Sequence, residues 1–194
     1  MARSGMSGRA RWLWGIAAGL AICALVVGGL VFQPWLLFID VRVDDDIPAA
    51  ATPTAAVPTP SSATPLEPAS TPEAPQRTEP VDLLAGTFLS HEHETTGTAR
   101  VILLPDGRRQ LALESLATTN GPDVHVWLSA GPVVEGTDGW FTAGGHPFVD
   151  LGMIKGNLGD QLYDIPDDVD LDVFRSVDLW CVQFSVSFGA AALS

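Results

Sequence analysis

Basic residues are scarce in this chain: ten Lys and Arg stand against 23 Asp and Glu, a net charge of -13 over 194 residues. A nucleic-acid surface needs clustered cations to displace phosphate counterions, so that class of partner is excluded. Cysteine is equally scarce. Cys23 and Cys181 lie too far apart in sequence and context for a disulfide-rich scaffold, and neither belongs to a CxxC motif for zinc or thiol exchange. The signatures of common enzyme classes are missing too: there is no Gly-x-Ser-x-Gly elbow, no His-Glu-x-x-His, no phosphate loop and no dinucleotide fingerprint. Hydrolase, kinase and nicotinamide-dependent readings therefore have no support. The length leaves room for one modest domain with an appendage.

What is present divides into zones. From Trp12 to Ile39 the chain is almost wholly apolar, broken only by Gln33 and Pro34, and the stretch Trp12 to Phe32 is about the twenty residues a helix needs to cross hydrocarbon. Arg3, Arg9 and Arg11 precede it, while Asp40, Asp44, Asp45 and Asp46 follow. The positive-inside rule thus predicts a cytoplasmic N-terminus over 1–11, a single-pass plasma-membrane anchor over 12–39 and an extracytoplasmic remainder. A cleaved signal peptide is the rival. The apolar run exceeds the about 7 to 15 residues of a usual signal core, and the nearest small-residue cleavage candidate, Ala49 to Ala51, lies well downstream.

Residues 40–80 read as a disordered linker. Pro48, Pro53, Pro58, Pro60, Pro65, Pro68, Pro72, Pro75 and Pro80 are too closely spaced for a helix or a sheet interior. Fully extended, the stretch would hold a domain up to about 100 Å from the bilayer. Its Thr and Ser residues either carry O-linked sugar or simply keep a spacer solvated.

Residues 81–194 carry a period-two apolar pattern. Thr98 to Leu104 and Gln110 to Leu116 flank Pro105-Asp106-Gly107, a turn sequence, and read as a hairpin. Val124 to Ser129 alternates Val124, Val126 and Leu128 against His125, Trp127 and Ser129. Val149 to Ile154, Gln161 to Ile165 and Val177 to Phe188 complete an all-β set, predicting a β-sandwich or small antiparallel barrel. In the last strand Trp180, Val182, Phe184, Val186 and Phe188 share a parity and are expected to be core. Val177 and Leu179 have the opposite parity, so a β-bulge is predicted at Leu179-Trp180, beside Cys181.

Chemical candidates are few. Cys181 is the only thiol outside the apolar segment, and it reads either as a redox thiol or cofactor ligand, or as a buried small hydrophobe. Acidic neighbours such as Asp178 would raise its pKa, which favours a ligand over a bare nucleophile. His91 and His93 are two apart and on a strand would point the same way toward a metal, although a solvated loop explains them equally and no dedicated metal site is assigned. His125 reads as a half-exposed strand histidine and His146 as a loop residue. The acidic run Asp164 to Asp172 lacks the Gly and Glu of a calcium loop.

Gly86-Thr87-Phe88, His93 to Val101 (HETTGTARV), Thr118 to Ser129 (TTNGPDVHVWLS), Leu151 to Pro166 and Ser176 to Leu193 resemble, in order and spacing, the DM-thirteen domain. This is the small electron-transfer module found with DOMON domains in Skeletor-type cell-surface proteins. The resemblance covers essentially all of 81–194, and one membrane segment plus a Pro/Thr linker is similar to bacterial members. It implies electron transfer through a nearly invariant cysteine, as a bare thiol or as a ligand to a group such as haem, and Cys181 in LWCVQF occupies that position. If haem is bound, His93 and His125 are the histidines within the resembling motifs that would supply another ligand. No DOMON domain accompanies this one, so the resemblance implies a separate redox partner protein. The other class left open is a non-catalytic cell-envelope binding or structural domain with an inert cysteine.

Overall fold

The computed structural model describes residues 8–49 and 78–194. The apolar run forms helix α1 (Gly8–Phe32), whose segment Trp12–Phe32 is long and apolar enough to cross a membrane. The helix ends earlier than the predicted anchor. Pro34 has no N–H to continue the ladder, Gln33 takes a left-handed φ of 41°, and Pro34–Phe38 becomes a 3₁₀ turn.

Among the described residues nine strands follow: β1 (Arg42–Asp44), β2 (Val81–Ser90), β3 (Thr96–Leu103), β4 (Arg109–Ala117), β5 (Val124–Ser129), β6 (Phe148–Met153), β7 (Leu158–Ile165), β8 (Ser176–Cys181) and β9 (Val186–Ala192). They form one sheet in the order β1-β7-β4-β3-β2-β9-β8-β5-β6. Strand β2 is the seam, because its first part pairs with β3 and Phe88–Ser90 pair with β9. The sheet curls there, so that its two halves face each other as a sandwich or half-barrel. Between them lie Val101, Leu111 and Leu113 from one half and Val126, Leu128, Val177, Leu179 and Phe188 from the other, in a single apolar core. Each such side chain contributes about 1.5–3 kcal/mol by leaving water. On one flank Arg100 bridges Glu114 (2.7 Å) and Asp82 (2.5 Å), tying β3 to both its neighbours.

The predicted β3–β4 hairpin forms, with Gly107 at φ 89°. A register shift does lie at Leu179-Trp180, but its extra residue is Phe188 on β9; β8 keeps its alternation, so Cys181 joins Val177 and Leu179 in the core, while Trp180, expected there, lies on the outer face.

Three further expectations are corrected. Val177 to Phe188 is not one strand but a hairpin, with β8 and β9 joined by the turn Val182 to Ser185, in which Ser185 has φ 53°. Val182 and Phe184, expected in the core, are therefore exposed at its tip. The sheet is not wholly antiparallel, because β1 pairs parallel to β7 at the edge. Finally, Asp40 to Asp46, read as the start of the linker, is bound to the domain; the rest of that expected linker, residues 50–77, lies outside the described residues.

The β1 attachment has a built receptor in Lys155 to Asp160. Gly159 sits at φ 96° and a Cβ there would overlap the Val43 carbonyl; one on Gly156 would overlap that of Val41. The buried Asn157 accepts from Val41 N (2.7 Å) and donates to Asp40 Oδ1 (2.8 Å) and Thr118 O (2.9 Å). Asp45 then accepts from Leu162 N (2.9 Å) and pairs with Lys155 (2.5 Å), which holds its carboxyl below the usual range.

Candidate functional site

Cys181 is the last residue of β8 and stands opposite Val186 across the hairpin and opposite Val124 on β5. It is fully buried in the main core. Burial pushes its thiol up; the Phe184 amide aimed at the sulfur works against this and the Asp123 carboxylate adds to it. At neutral pH the sulfur is a protonated, enclosed thiol rather than a nucleophile, because thiolate character and access are what reactivity requires.

The turn that follows reaches the end of α1. Gln183 Nε2 donates to the Val31 carbonyl (2.7 Å), and the Phe184 ring stacks on Phe32 at 5.9 Å between centroids. Beside this contact is a cavity of about 510 Å³ walled by Phe32, Leu36, Trp140, Phe184 and Phe188, with Val186 and Gly121 in its lining. Val186, the residue paired with Cys181, thus belongs to the cavity wall while Cys181 does not.

His93 lines this cavity. Its ring meets Phe188 edge-on at 4.0 Å, and its Nε2 pairs with Glu92 Oε2 at 2.5 Å. Burial lowers its pKa and the Glu92 charge opposes that, with burial prevailing, so the ring is neutral near pH 7.

The other histidines lie elsewhere. His125 is on β5 with its parity opposite to Val124, so it leaves the sheet on the face away from Cys181; its Nδ1 faces Asp150 (2.8 Å) and its Nε2 faces Asp123 (3.2 Å). His91 and His93 are not on a strand, and they diverge. His91 Nε2 donates to Val134 O (3.1 Å) and its Nδ1 accepts from Ser187 Oγ (2.7 Å). Among the described residues no group of three or more His, Cys, Asp or Glu could hold a metal ion.

Residues 87–193 match the family described as Electron transfer DM13. The chain belongs to this family. No curated protein and no solved structure matches it. In this DM13 domain the cysteine that the resemblance singled out and the two histidines proposed beside it do not converge: only His93 reaches a cavity, and Cys181 lies behind that cavity's wall.

A haem does not fit this arrangement. The sulfur has no opening onto the cavity, His125 is on the opposite face, and among the described residues no Lys or Arg lines the cavity to meet two propionate carboxylates, whereas Glu92 would repel them.

The DM13 domain also carries a polar and aromatic cluster that sequence reasoning missed. On the outer face of β5 and β8, covered by the 3₁₀ turns Gly136–Phe141 and Ala143–Gly145, Trp127 and Trp180 stack at 5.0 Å and Phe148 lies on Trp127 at 3.6 Å. Asp178, directly opposite Trp127, is buried there, and burial pushes its carboxyl up to about 7, with its hydrogen bond to the Ser187 hydroxyl acting the other way. Trp127 Nε1 and Asp178 Oδ1 have no hydrogen-bond partner among the described residues. The available signal was a charged residue inside Ser176 to Cys181, a strand buried along its whole length.

Proposed function

We propose that this protein is a membrane-anchored, extracytoplasmic electron-transfer domain whose redox site is the apolar cavity at the foot of α1. The observation that carries the reading is the cavity itself, built jointly by the end of the membrane-length helix and by His93 and Phe188 of a DM13 domain. Arginines before the span and aspartates after it support the cytoplasmic N-terminus and the external domain.

Cys181 contributes from behind the wall. In this reading Val186 transmits its packing to the cavity, and the neutral thiol keeps the core next to a redox centre free of a fixed charge. Electrons pass to and from a separate partner protein, for which the exposed Phe148, stacked on Trp127 and through it on Trp180 beside Cys181, is the contact point. His125, held between two aspartates on that outer face, orders the rim of the same surface.

The test is protein-film voltammetry of the full chain purified from its native membrane. A protein-centred wave that a cavity-filling Val186→Phe variant abolishes, with the strand signal in far-ultraviolet circular dichroism unchanged, supports the reading. Absence of any wave from the folded native protein refutes it. The complete burial of Cys181 favours a second reading, a cell-envelope binding domain in which the sulfur is inert core. That reading gains if the protein is redox-silent and the thiol reacts only after unfolding.

A further inference from the structure

The cavity beside α1 has three properties that restrict its occupant. It is almost entirely apolar, so a water-soluble polar ligand would leave its own polar groups unpaired on entry. Among the described residues it is lined by no Lys or Arg, and the single carboxylate in that lining, Glu92, already bonds His93, so an anionic ligand finds no counter-charge there. Its wall includes Phe32 and the 3₁₀ turn at Pro34 to Leu36, the end of the membrane-length helix, so its mouth lies at the depth where that helix leaves the hydrocarbon. A neutral, planar molecule dissolved in the bilayer meets all three conditions. A volume of about 510 Å³ falls within the range of about 300–1,000 Å³ usual for small-molecule sites.

His93 narrows the class further. With Nε2–H donated to Glu92 and the ring neutral, Nδ1 is left as an acceptor, which suits a ring hydroxyl. Trp140, Phe184 and Phe188 supply aromatic faces and edges. We infer that the cavity receives the head ring of a lipid-soluble quinone, with the reduced, hydroxyl-bearing quinol favoured by His93 and the tail directed along α1 into the bilayer. This rests on the proposed redox role of the site and names its small-molecule class.

The experiment uses the full chain in phospholipid nanodiscs titrated with decylubiquinone and with its quinol, read by quenching of Trp140 fluorescence. The result expected is saturable quenching that is lost in Trp140→Phe, abolished in Val186→Phe, and about tenfold weaker for the quinol in His93→Leu while the oxidised form is less affected. Circular dichroism and thermal melts confirm that each variant is folded, and Phe184→Leu, at the exposed turn, gives a second cavity variant that leaves the core untouched. Non-saturable quenching, or equal competition by decanol, which has the chain without the ring, overturns the inference. A redox-active protein that fails to bind the ring sinks this inference alone; saturable binding by a redox-silent protein sinks the electron-transfer reading and leaves the quinone site standing.

Discussion

Asn157→Ala tests whether the segment after α1 is truly part of the folded domain. The side chain is 2 % exposed and makes three hydrogen bonds, two of them to Asp40 and Val41 and one to Thr118. Removing it loses all three and leaves the Val41 N–H without its acceptor, which at about 1 kcal/mol per bond costs about 3 kcal/mol. In a chain that begins at residue 81, Asp40 and Val41 are missing and only the Thr118 bond is at stake, so the same substitution should cost about 1 kcal/mol. The coupling between segment and side chain is therefore about 2 kcal/mol, well above the about 0.3–0.5 kcal/mol scatter of independent sites. The assay is urea unfolding, followed by tryptophan fluorescence, of residues 40–194 and 81–194, each with and without the substitution. Equal losses in the two chains would refute the reasoning and return residues 40–46 to the status of a passive tether.

Asp178 has a carboxyl raised by burial to about 7, above its unfolded value near 3.8, so the folded state binds the extra proton between those values and loses stability as pH rises from about 4 to about 7. Asp178→Asn should remove that slope and be the more stable protein at pH 8, by an amount on the order of 4 kcal/mol; identical pH profiles of melting temperature would refute this. In a Cys23→Ala background, Cys181 should react with maleimide only when the domain is unfolded, and Cys181→Ser should cost about 1–3 kcal/mol by placing a hydroxyl in the apolar core. Rapid labelling of the native protein would contradict the burial. Arg100→Leu should cost about 1.5–3 kcal/mol, since Asp82 and Glu114 lose a charged partner on a half-buried flank; added salt should recover little of it, as the melting temperature will show.

Local pattern made much of the sheet legible. Pro105-Asp106-Gly107 fixed one hairpin because proline and glycine specify the turn wherever it sits. The alternation in Val124 to Ser129 fixed β5, whereas the apparent phase change at Leu179-Trp180 pointed to a register shift whose extra residue is Phe188 on β9, with β8 alternating straight through. The pattern misled at Val182 to Phe188, because a four-residue turn preserves period-two parity and a tip lying against a membrane helix is as apolar as a strand. Strand β1 was not legible at all. Three residues make too short a pattern, and their partner lies more than a hundred positions away, where nothing in the sequence marks Gly156 and Gly159 as clearance for a neighbouring backbone. The site was half legible: His93 was picked out, but its companions Phe32, Trp140 and Phe184 come from segments that only the folded chain brings together. Cys181 stood out as the only thiol outside the apolar segment and by its family position, but its sequestration follows from sharing the core face of β8 with Val177 and Leu179.

The docking of β1 changes what chain length can do in this protein. The backbone leaves the sheet at Asp44 and returns at Val81, two points separated in the sheet by β7, β4 and β3, a gap of about 19 Å at ordinary strand spacing. The residues between them can extend to about 100 Å. With both ends fastened to the same sheet, the position of the cavity relative to the end of α1 is set by the few residues between Phe32 and Arg42 and not by the length of the segment between Asp44 and Val81. A longer or shorter segment between Asp46 and Val81 would leave the distance between the cavity and α1 unchanged.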